Sequence, residues 1–262
     1  MDQFPKFNTV VETRFGKMIC NLHDRFIGKS LIKYGEFSHA ECSLFQELIQ
    51  PGAVVIEAGA NVGAHTLFLA NQVGPDGTVY AFEPQRIVFQ TLCGNLALNS
   101  IPNVIAMQSA VGCEPGRIHV PQPDYLRVGN FGGLSLEGSE EGELVPLVTI
   151  DSLFLQRCDF IKADVEGMEE VVLRGGEKTI RKHRPVLYVE SDREEKRLSM
   201  LRFVDSMGYD MFLHMPLLFN ENNFKSQSEN IFPDLVSANV LCVCKSLKMQ
   251  FPSLISLGVV PS

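Results

Sequence analysis

Short apolar runs alternate with longer segments of helical periodicity from residue 52 to residue 244. The apolar runs predict seven strands, at residues 54–57, 78–83, 103–108, 159–164, 186–190, 209–213 and 238–244. The periodic segments predict helices at residues 62–73, 85–99, 167–181 and 193–207. Because this alternation is typical of strands joined by crossover helices, we predict an α/β fold with a mostly parallel seven-stranded sheet and helices on both faces. The last two strands are expected to form an antiparallel hairpin.

Two segments depart from the alternation. Residues 1–50 predict a strand or hairpin around residues 13–19 and an amphipathic helix at 38–49. Residues 113–147 are rich in Gly, Pro and Glu, which favours a β-hairpin insertion or a lid. We therefore expect an N-terminal extension at 1–50 and a main domain at 51–262 that carries the insertion.

The first strand of the main domain leads into a glycine-containing turn and then a helix, with Glu57, Gly59, Asn61 and Gly63 at alternate positions. Such a corner binds ligands in α/β sheets, and its exposed N–H groups attract anions. The spacing differs from both common phosphate-binding loops, and Glu57 would repel a pyrophosphate. A cationic ligand such as S-adenosylmethionine fits an acid here. We count Thr66, in the following helix, with these candidates; an ordinary strand–helix turn is the alternative.

Glu83 and Pro84 end the second strand of the main domain. A carboxylate at this position is the usual acceptor for two ribose hydroxyls, and proline suits the first turn of the next helix. A surface Glu-Pro turn is the alternative interpretation. The third strand ends at Ser109 and Ala110, which we expect on the adenine side of the same pocket.

The strand at 159–164 is the fourth of the main domain, so it should lie beside the strand at 54–57 where the winding of the sheet reverses. Asp164 would then emerge at the carboxyl end of that strand. If the ligand is S-adenosylmethionine, Asp164 would face the space where its methyl group is transferred. Glu166 follows it. An interaction with the helix dipole is the alternative explanation for Glu166 and the preferred one for Glu169. Lys162 and Glu190 are expected to add charge to the same rim.

Several motifs together resemble the FkbM family of methyltransferases. Their order along the chain is specific, although each motif alone is weak. They are Y-G-E-F at 34–37, I-E-A-G-A-N-V-G at 56–63, A-F-E-P at 81–84, N-L-A-L-N at 95–99, S-A-V-G at 109–112, I-K-A-D-V-E-G-M-E at 161–169 and V-L-R-G at 172–175. The resemblance implies a Rossmann-like, class I methyltransferase fold and an S-adenosylmethionine-dependent enzyme that methylates hydroxyls of sugars, glycoconjugates or polyketide-type molecules. Glu57, His65 and Ala163 depart from the commoner residues of the family.

Methyl transfer to a hydroxyl benefits from a group that accepts the departing proton. Asp164 is the first candidate for this base, Glu166 the second and His65 a distant third. A divalent metal held by Asp164 and a second acid is an alternative, but no ligand set in the sequence demands one. N-methylation of an amine or protein side chain, and a non-catalytic S-adenosylmethionine-binding module, stay open as alternatives; an NAD-linked oxidoreductase is disfavoured by Glu57 and the glycine spacing.

Composition narrows the partners. The chain has 262 residues, 45% hydrophobic and 21% charged, with a net charge of −8. The negative charge disfavours nucleic acid and anionic membranes, and no apolar run reaches membrane-spanning length. The seven cysteines are scattered, which indicates reduced thiols and a cytoplasmic protein; the C-x-C pair at 242 and 244 is best explained as core filling. A small-molecule or glycosidic acceptor is expected, and the oligomeric state is left open.

Overall fold

The computed structural model describes residues 4–258. Its strands are β1 (Asn8–Thr13), β2 (Gly16–Asn21), β3 (Val54–Ala58), β4 (Thr78–Phe82), β5 (Val104–Met107), β6 (Ala110–Val111), β7 (Gly116–Val120), β8 (Glu143–Val148), β9 (Phe160–Ala163), β10 (Val186–Glu190), β11 (Tyr209–His214), β12 (Asn239–Cys244) and β13 (Ile255–Ser256). Its α-helices are α1 (Ile27–Tyr34), α2 (His39–Leu48), α3 (Ala64–Val73), α4 (Arg86–Leu98), α5 (Glu169–Arg174), α6 (Glu177–His183) and α7 (Glu194–Ser206). Two short 3₁₀ helices cover Ile150–Leu153 and Lys245–Leu247.

The central sheet has the strand order β13-β11-β12-β10-β9-β3-β4-β5. Strands β10, β9, β3, β4 and β5 pair in parallel, and β12 lies antiparallel between β10 and β11. The predicted α/β class, the terminal antiparallel hairpin and the position of β9 beside β3 are confirmed. The carboxyl ends of β3, β4, β9 and β10 therefore meet at one edge of the sheet.

Two details differ from the sequence prediction. The sheet has an eighth strand, because the two residues of β13 pair with β11 at the edge. The single helix predicted at 167–181 is two helices, α5 and α6, separated by Gly175 and Gly176. A side chain on Gly175 would lie 1.9 Å from the carbonyl oxygen of Gly112, so this close approach requires glycine. Glycine also favours the helix break, since it is a poor helix former.

The two faces of the sheet bury different sets of residues, because side chains alternate along each strand. Val55 on β3 and Phe160 on β9 pack in one core cluster with residues of α2 and α3. Ile56 and Ile161 pack in the other, with residues of α5, α6 and α7. By this alternation Glu57 and Lys162 lie on the face covered by α2 and α3, where they are paired neighbours on adjacent strands.

Three segments surround the carboxyl edge of the sheet. Residues 8–48 form the β1–β2 hairpin, α1 and α2, and residues 215–237 form an irregular segment that packs on Tyr34. Strand β8 pairs antiparallel with β7 and parallel with β6, giving a separate three-stranded sheet. Within residues 4–258, no helix is both long and apolar enough to cross a lipid bilayer. The proposed division at residue 51 stays a prediction.

Candidate functional site

Two adjoining chambers lie at the carboxyl edge of the sheet. We call them the small chamber, of about 500 Å³, and the large chamber, of about 1070 Å³. Gly59, Glu83, Gly132, Asp164 and Glu166 line both, so the chambers meet at these residues. This edge is where open α/β sheets bind small-molecule ligands.

The loop after β3 is shaped by close packing against β9. Gly59 has a φ of +85°, and a side chain there would lie 1.8 Å from the carbonyl oxygen of Asp164. Its N–H donates to the Phe82 carbonyl at 3.0 Å, which ties the loop to β4. Asn61 has a φ of +51°, and its side-chain Oδ1 accepts from the Val62 N–H at 2.8 Å. Only glycine fits at position 59, which brings the backbone of the loop to the chamber wall.

Glu83 lies where both chambers meet and is buried. Its Oε2 accepts from the Asn61 N–H at 3.0 Å and its Oε1 from the Gln85 N–H at 2.8 Å. Each carboxylate oxygen has two lone pairs, so both can accept a further hydroxyl. Burial raises the pKa of Glu83 to about 7, although the two N–H donors oppose the shift. The site thus holds a carboxylate that is fixed in position and still able to accept hydrogen bonds.

The far wall of the small chamber contains Pro84, Ser109 and Ala110, as the sequence predicts for one pocket. Ser109 is 4% exposed, and its Oγ has no hydrogen-bond partner among the residues that the structure describes. An unpaired buried hydroxyl costs free energy, and such groups are rare in folded proteins. A ligand in the small chamber can satisfy it. Leu134, Leu136 and Met168 supply the apolar part of the wall.

Three predicted cofactor residues lie behind the loop and do not line either chamber. Glu57 is 1% exposed, and its Oε2 accepts from the Thr66 hydroxyl at 2.6 Å. Gly63 has a φ of +90° at the N-terminus of α3, where it packs against Leu92. The structure therefore brings Glu57, Gly63 and Thr66 near the site as support for the loop. Their predicted direct contact with the cofactor stays a prediction.

The position predicted for Lys162 is wrong. Lys162 is not on the rim: it is 2% exposed beneath the chambers, and its Nζ donates to Asp164 Oδ2 at 2.8 Å. It shares parity along β9 with Phe160, so it points into the apolar face of the sheet. The neighbouring carboxylates of Asp164, Glu57 and Glu41 raise the pKa of Lys162 against the opposing effect of burial. Asp164 lines both chambers, and its Oδ1 makes no hydrogen bond to the described residues.

Three carboxylates converge on the floor of the large chamber. The ligand oxygens of Asp164, Glu166 and Glu190 lie within 4.8 Å of one another, a spacing that could hold a divalent ion. Burial and the nearby Asp164 raise the pKa of Glu166 to about 7 and that of Glu190 to about 10. Arg193 donates to Glu166 at 3.2 Å. Glu190 has no ion pair within the described residues, so a bound cation would stabilise its charged form.

The surroundings of two other candidates, Glu169 and His65, favour structural roles over a place in the chambers. Glu169 Oε1 accepts from the N–H groups of Gly167, at 2.9 Å, and Val165, at 3.2 Å, in keeping with a role at the start of α5. His65, the third candidate base, is buried and lines neither chamber. Burial and the nearby Lys162 lower the pKa of His65 to about 3, so it is neutral.

Sequence reasoning missed the part of the site that comes from outside the main sheet. Phe26, Ile27, Phe37, Ser38 and Glu41 line the large chamber from the N-terminal extension. The Ser38 hydroxyl donates to Glu41 Oε1 at 2.6 Å. The S-x-x-E spacing at 38–41 was the available signal: it is the sequence pattern of a capping box, although in the structure the Ser38 side chain caps no backbone N–H. Leu218, Leu235 and Val236 also line the large chamber and carry no comparable motif.

The strand order and the chambers at its carboxyl edge define a Rossmann-like, class I methyltransferase fold. The chain resembles the crystal structure of the methyltransferase FkbM from Methylobacillus flagellatus KT, with a TM-score of 0.51 and 19% sequence identity. That likeness covers 77% of this chain and 50% of the other, and at this identity it supports the fold alone.

The methyltransferase FkbM domain model matches residues 57–226, and the chain belongs to this family. It is 28% identical over 143 residues to "Methyltransferase 1" of Beauveria bassiana (strain ARSEF 2860), covering 46% of this chain and 57% of the relative. It is 26% identical over 158 residues to "Methyltransferase sdnD" of Sordaria araneosa, covering 46% and 59%. The chain thus matches little more than half the length of these curated relatives.

Proposed function

We propose that the protein transfers the methyl group of S-adenosylmethionine to a hydroxyl of a small molecule, such as a sugar, a glycoconjugate or a polyketide-type compound. The observation that carries this proposal is the pair of adjoining chambers with Asp164 between them. A two-substrate reaction needs two binding spaces that meet at the reacting atoms. Membership in the methyltransferase FkbM family supports the same activity.

The residues of the small chamber fit the nucleoside part of S-adenosylmethionine. Glu83 has free lone pairs for two ribose hydroxyls, and the unpaired Ser109 hydroxyl can bond a polar edge of the base. The apolar wall suits the faces of a purine. Asn61 and the backbone at Gly59 would hold the methionine end, and carboxylates nearby favour its ammonium and sulfonium charges. When bound, the cofactor supplies the electrophilic methyl group.

The chain's own contribution is to align the acceptor and take its proton. Lys162 fixes one oxygen of Asp164, and we propose that the other accepts the hydrogen bond from the acceptor hydroxyl and then its proton. Glu166 is the second candidate for this role. Holding the oxygen in line with the methyl carbon accounts for a large part of the rate in such reactions.

N-methylation is the weaker alternative for a chemical reason. Carboxylates around the large chamber stabilise the protonated form of an amine, and an ammonium nitrogen has no lone pair to attack the methyl carbon. An amine in this chamber therefore fits better as an anchor than as the nucleophile. A cytoplasmic location is also proposed, since all seven cysteines are free thiols.

Calorimetry with the full chain tests the proposal. S-adenosylhomocysteine should bind with one site per chain, and NAD should show no comparable binding because its pyrophosphate would face the acids of the site. Comparable binding of NAD, or no binding of S-adenosylhomocysteine, would contradict the proposed function.

A further inference from the structure

The large chamber has one apolar wall, and this wall is built from two distant parts of the chain. Phe26, Ile27 and Phe37 come from the N-terminal extension, and Leu218, Leu235 and Val236 come from the 215–237 segment. All of Phe26, Ile27, Phe37 and Leu235 are only partly buried, and Val236 is 38% exposed. Apolar surface thus stays uncovered inside a cleft next to Asp164, where it is available to a ligand.

Hydrogen bonds to the buried side chains of Glu36 and Tyr34 hold the two halves of this wall together. Glu36 accepts from Arg14 Nε at 2.8 Å, Asn220 Nδ2 at 2.8 Å and the Phe224 N–H at 2.9 Å. Tyr34 donates its hydroxyl to the Glu229 carbonyl at 2.9 Å and accepts from the Ile231 N–H at 2.8 Å. Apart from the bond from Arg14, these bonds connect residues 184 to 197 positions apart. The wall is therefore a preformed part of the folded protein, as ligand pockets usually are.

Acidic side chains line much of the rest of the large chamber. The acids that line the large chamber are Glu41, Glu83, Asp164, Glu166, Glu190 and Asp192, and no Lys, Arg or His of the described residues lines it. The nearest cations are already engaged: Lys162 bonds Asp164 from beneath, and Arg193 bonds Glu166. An anionic group entering this space would find no free cation to pair with. It would be desolvated beside Glu83, Glu166 and Glu190, whose pKa values are already raised, and its charge would make their ionisation less favourable still, so binding of anions is disfavoured.

We propose that the methyl acceptor is a hydroxylated small molecule with an apolar body and no anionic group. This inference rests on the proposed function and narrows its substrate class. The apolar body binds the wall formed by Phe26, Phe37 and Leu235, which directs the hydroxyl to Asp164. A neutral or cationic end is accepted next to Glu190 and Asp192, whereas phosphate esters, carboxylates and nucleic acids are excluded.

Three matched probes test this assignment: tyrosol, tyramine and 4-hydroxyphenylacetate. They share a hydroxylated aromatic body and differ in a neutral, cationic or anionic end. Each is titrated by calorimetry into the full chain saturated with S-adenosylhomocysteine. We expect tyrosol and tyramine to bind about tenfold or more tightly than 4-hydroxyphenylacetate. Equal or tighter binding of the anionic probe, or no binding of any probe at millimolar concentration, would overturn the inference.

Two variants locate the effect. Leu235→Ala should weaken tyrosol binding by roughly threefold to tenfold, because it removes apolar contact area, while Leu247→Ala, at an exposed leucine outside both chambers, should not. Asp192→Asn should reduce the difference in affinity between tyrosol and 4-hydroxyphenylacetate. An unchanged preference and unchanged tyrosol binding would contradict the assignment of these walls. Loss of S-adenosylhomocysteine binding itself would instead overturn the proposed function, so the two failures are distinguishable.

Discussion

The small and large chambers differ in how the chain builds them. The small chamber is made mainly of strand ends and of the loops that follow them, such as Gly59 after β3 and Glu83 after β4. The large chamber takes its apolar wall from segments outside the parallel sheet, 26–37 and 218–236. The first arrangement follows from the fold itself, so it suits a cofactor common to many acceptors. The second can change without altering the sheet, so it suits acceptor specificity.

The largest expected effect is on stability and comes from Lys162, the buried cation beneath the place where the two chambers meet. Lys162→Met leaves Asp164, Glu57 and Glu41 without their buried cation, and we expect a loss of about 3–5 kcal/mol in the free energy of unfolding. Urea unfolding measures it. Lys245→Met is the control, because Lys245 makes an exposed ion pair with Asp205 and should cost less than about 1 kcal/mol. Equal effects of the two substitutions would contradict the buried network.

Asp164→Asn tests whether Asp164, where the two chambers meet, acts as the general base. Turnover with an accepted substrate should fall by about two decades or more, the range typical for loss of a general base, while S-adenosylhomocysteine affinity changes less than about tenfold. Glu169→Gln is the control: its Oε1 accepts both backbone bonds, and the amide oxygen can still do so. Full activity of Asp164→Asn would rule out its role as the base.

Gly59→Ala tests the close approach of the loop after β3 to the residues that follow β9. The added methyl group would lie 1.8 Å from the Asp164 carbonyl oxygen in a backbone conformation that disfavours side chains. We expect a loss of about 2–3 kcal/mol in stability together with weakened cofactor binding. Gly52→Ala is similar in φ, at +78°, and has nothing within 4 Å, so it should cost only about 1 kcal/mol and leave binding unchanged. Similar results for both would mean that backbone strain alone matters.

Glu83→Ala tests which of the two chambers binds the nucleoside. Because Glu83 is proposed to bond the ribose, S-adenosylhomocysteine affinity should fall by about 1–3 kcal/mol, as expected for charge-assisted hydrogen bonds. Glu190→Ala, in the large chamber only, should change that affinity far less. Calorimetry under identical conditions compares them, and a larger effect at Glu190 would reverse the assignment.

The smallest expected effect is on the pH dependence of stability. The pKa of Glu190 rises from its ordinary value of 4.5 to about 10, so the folded protein holds this proton more tightly than the unfolded chain. Stability conferred by the protonated carboxyl is therefore lost progressively as pH rises from 4.5 toward 10. Glu190→Gln removes this loss, and it should exceed the wild type in stability by at least about 1 kcal/mol at pH 8 but not at pH 4. A constant difference between the two pH values would contradict the shift.

The same comparison explains what the sequence could predict. Gly59, Glu83 and Ser109 were predictable because strand ends and turns are local features with characteristic residues. The wall at Phe26 and Leu235 was not, since it depends on bonds such as Glu36 to Asn220 between distant segments. Lys162 is an intermediate case. Lys162 is two residues from Phe160 along β9, so strand alternation places both on the same buried face. Its charge favours the rim instead, and burial is possible because Glu57 and Glu41 lie near it.

The most direct test of the division between the chambers is a crystal structure of the full chain with S-adenosylhomocysteine. We predict the adenine next to Ser109 and Ala110, both ribose hydroxyls on Glu83, and the sulfur facing Asp164 with the large chamber still open to an acceptor. A nucleoside bound in the large chamber, or a ribose without contact to Glu83, would contradict this account.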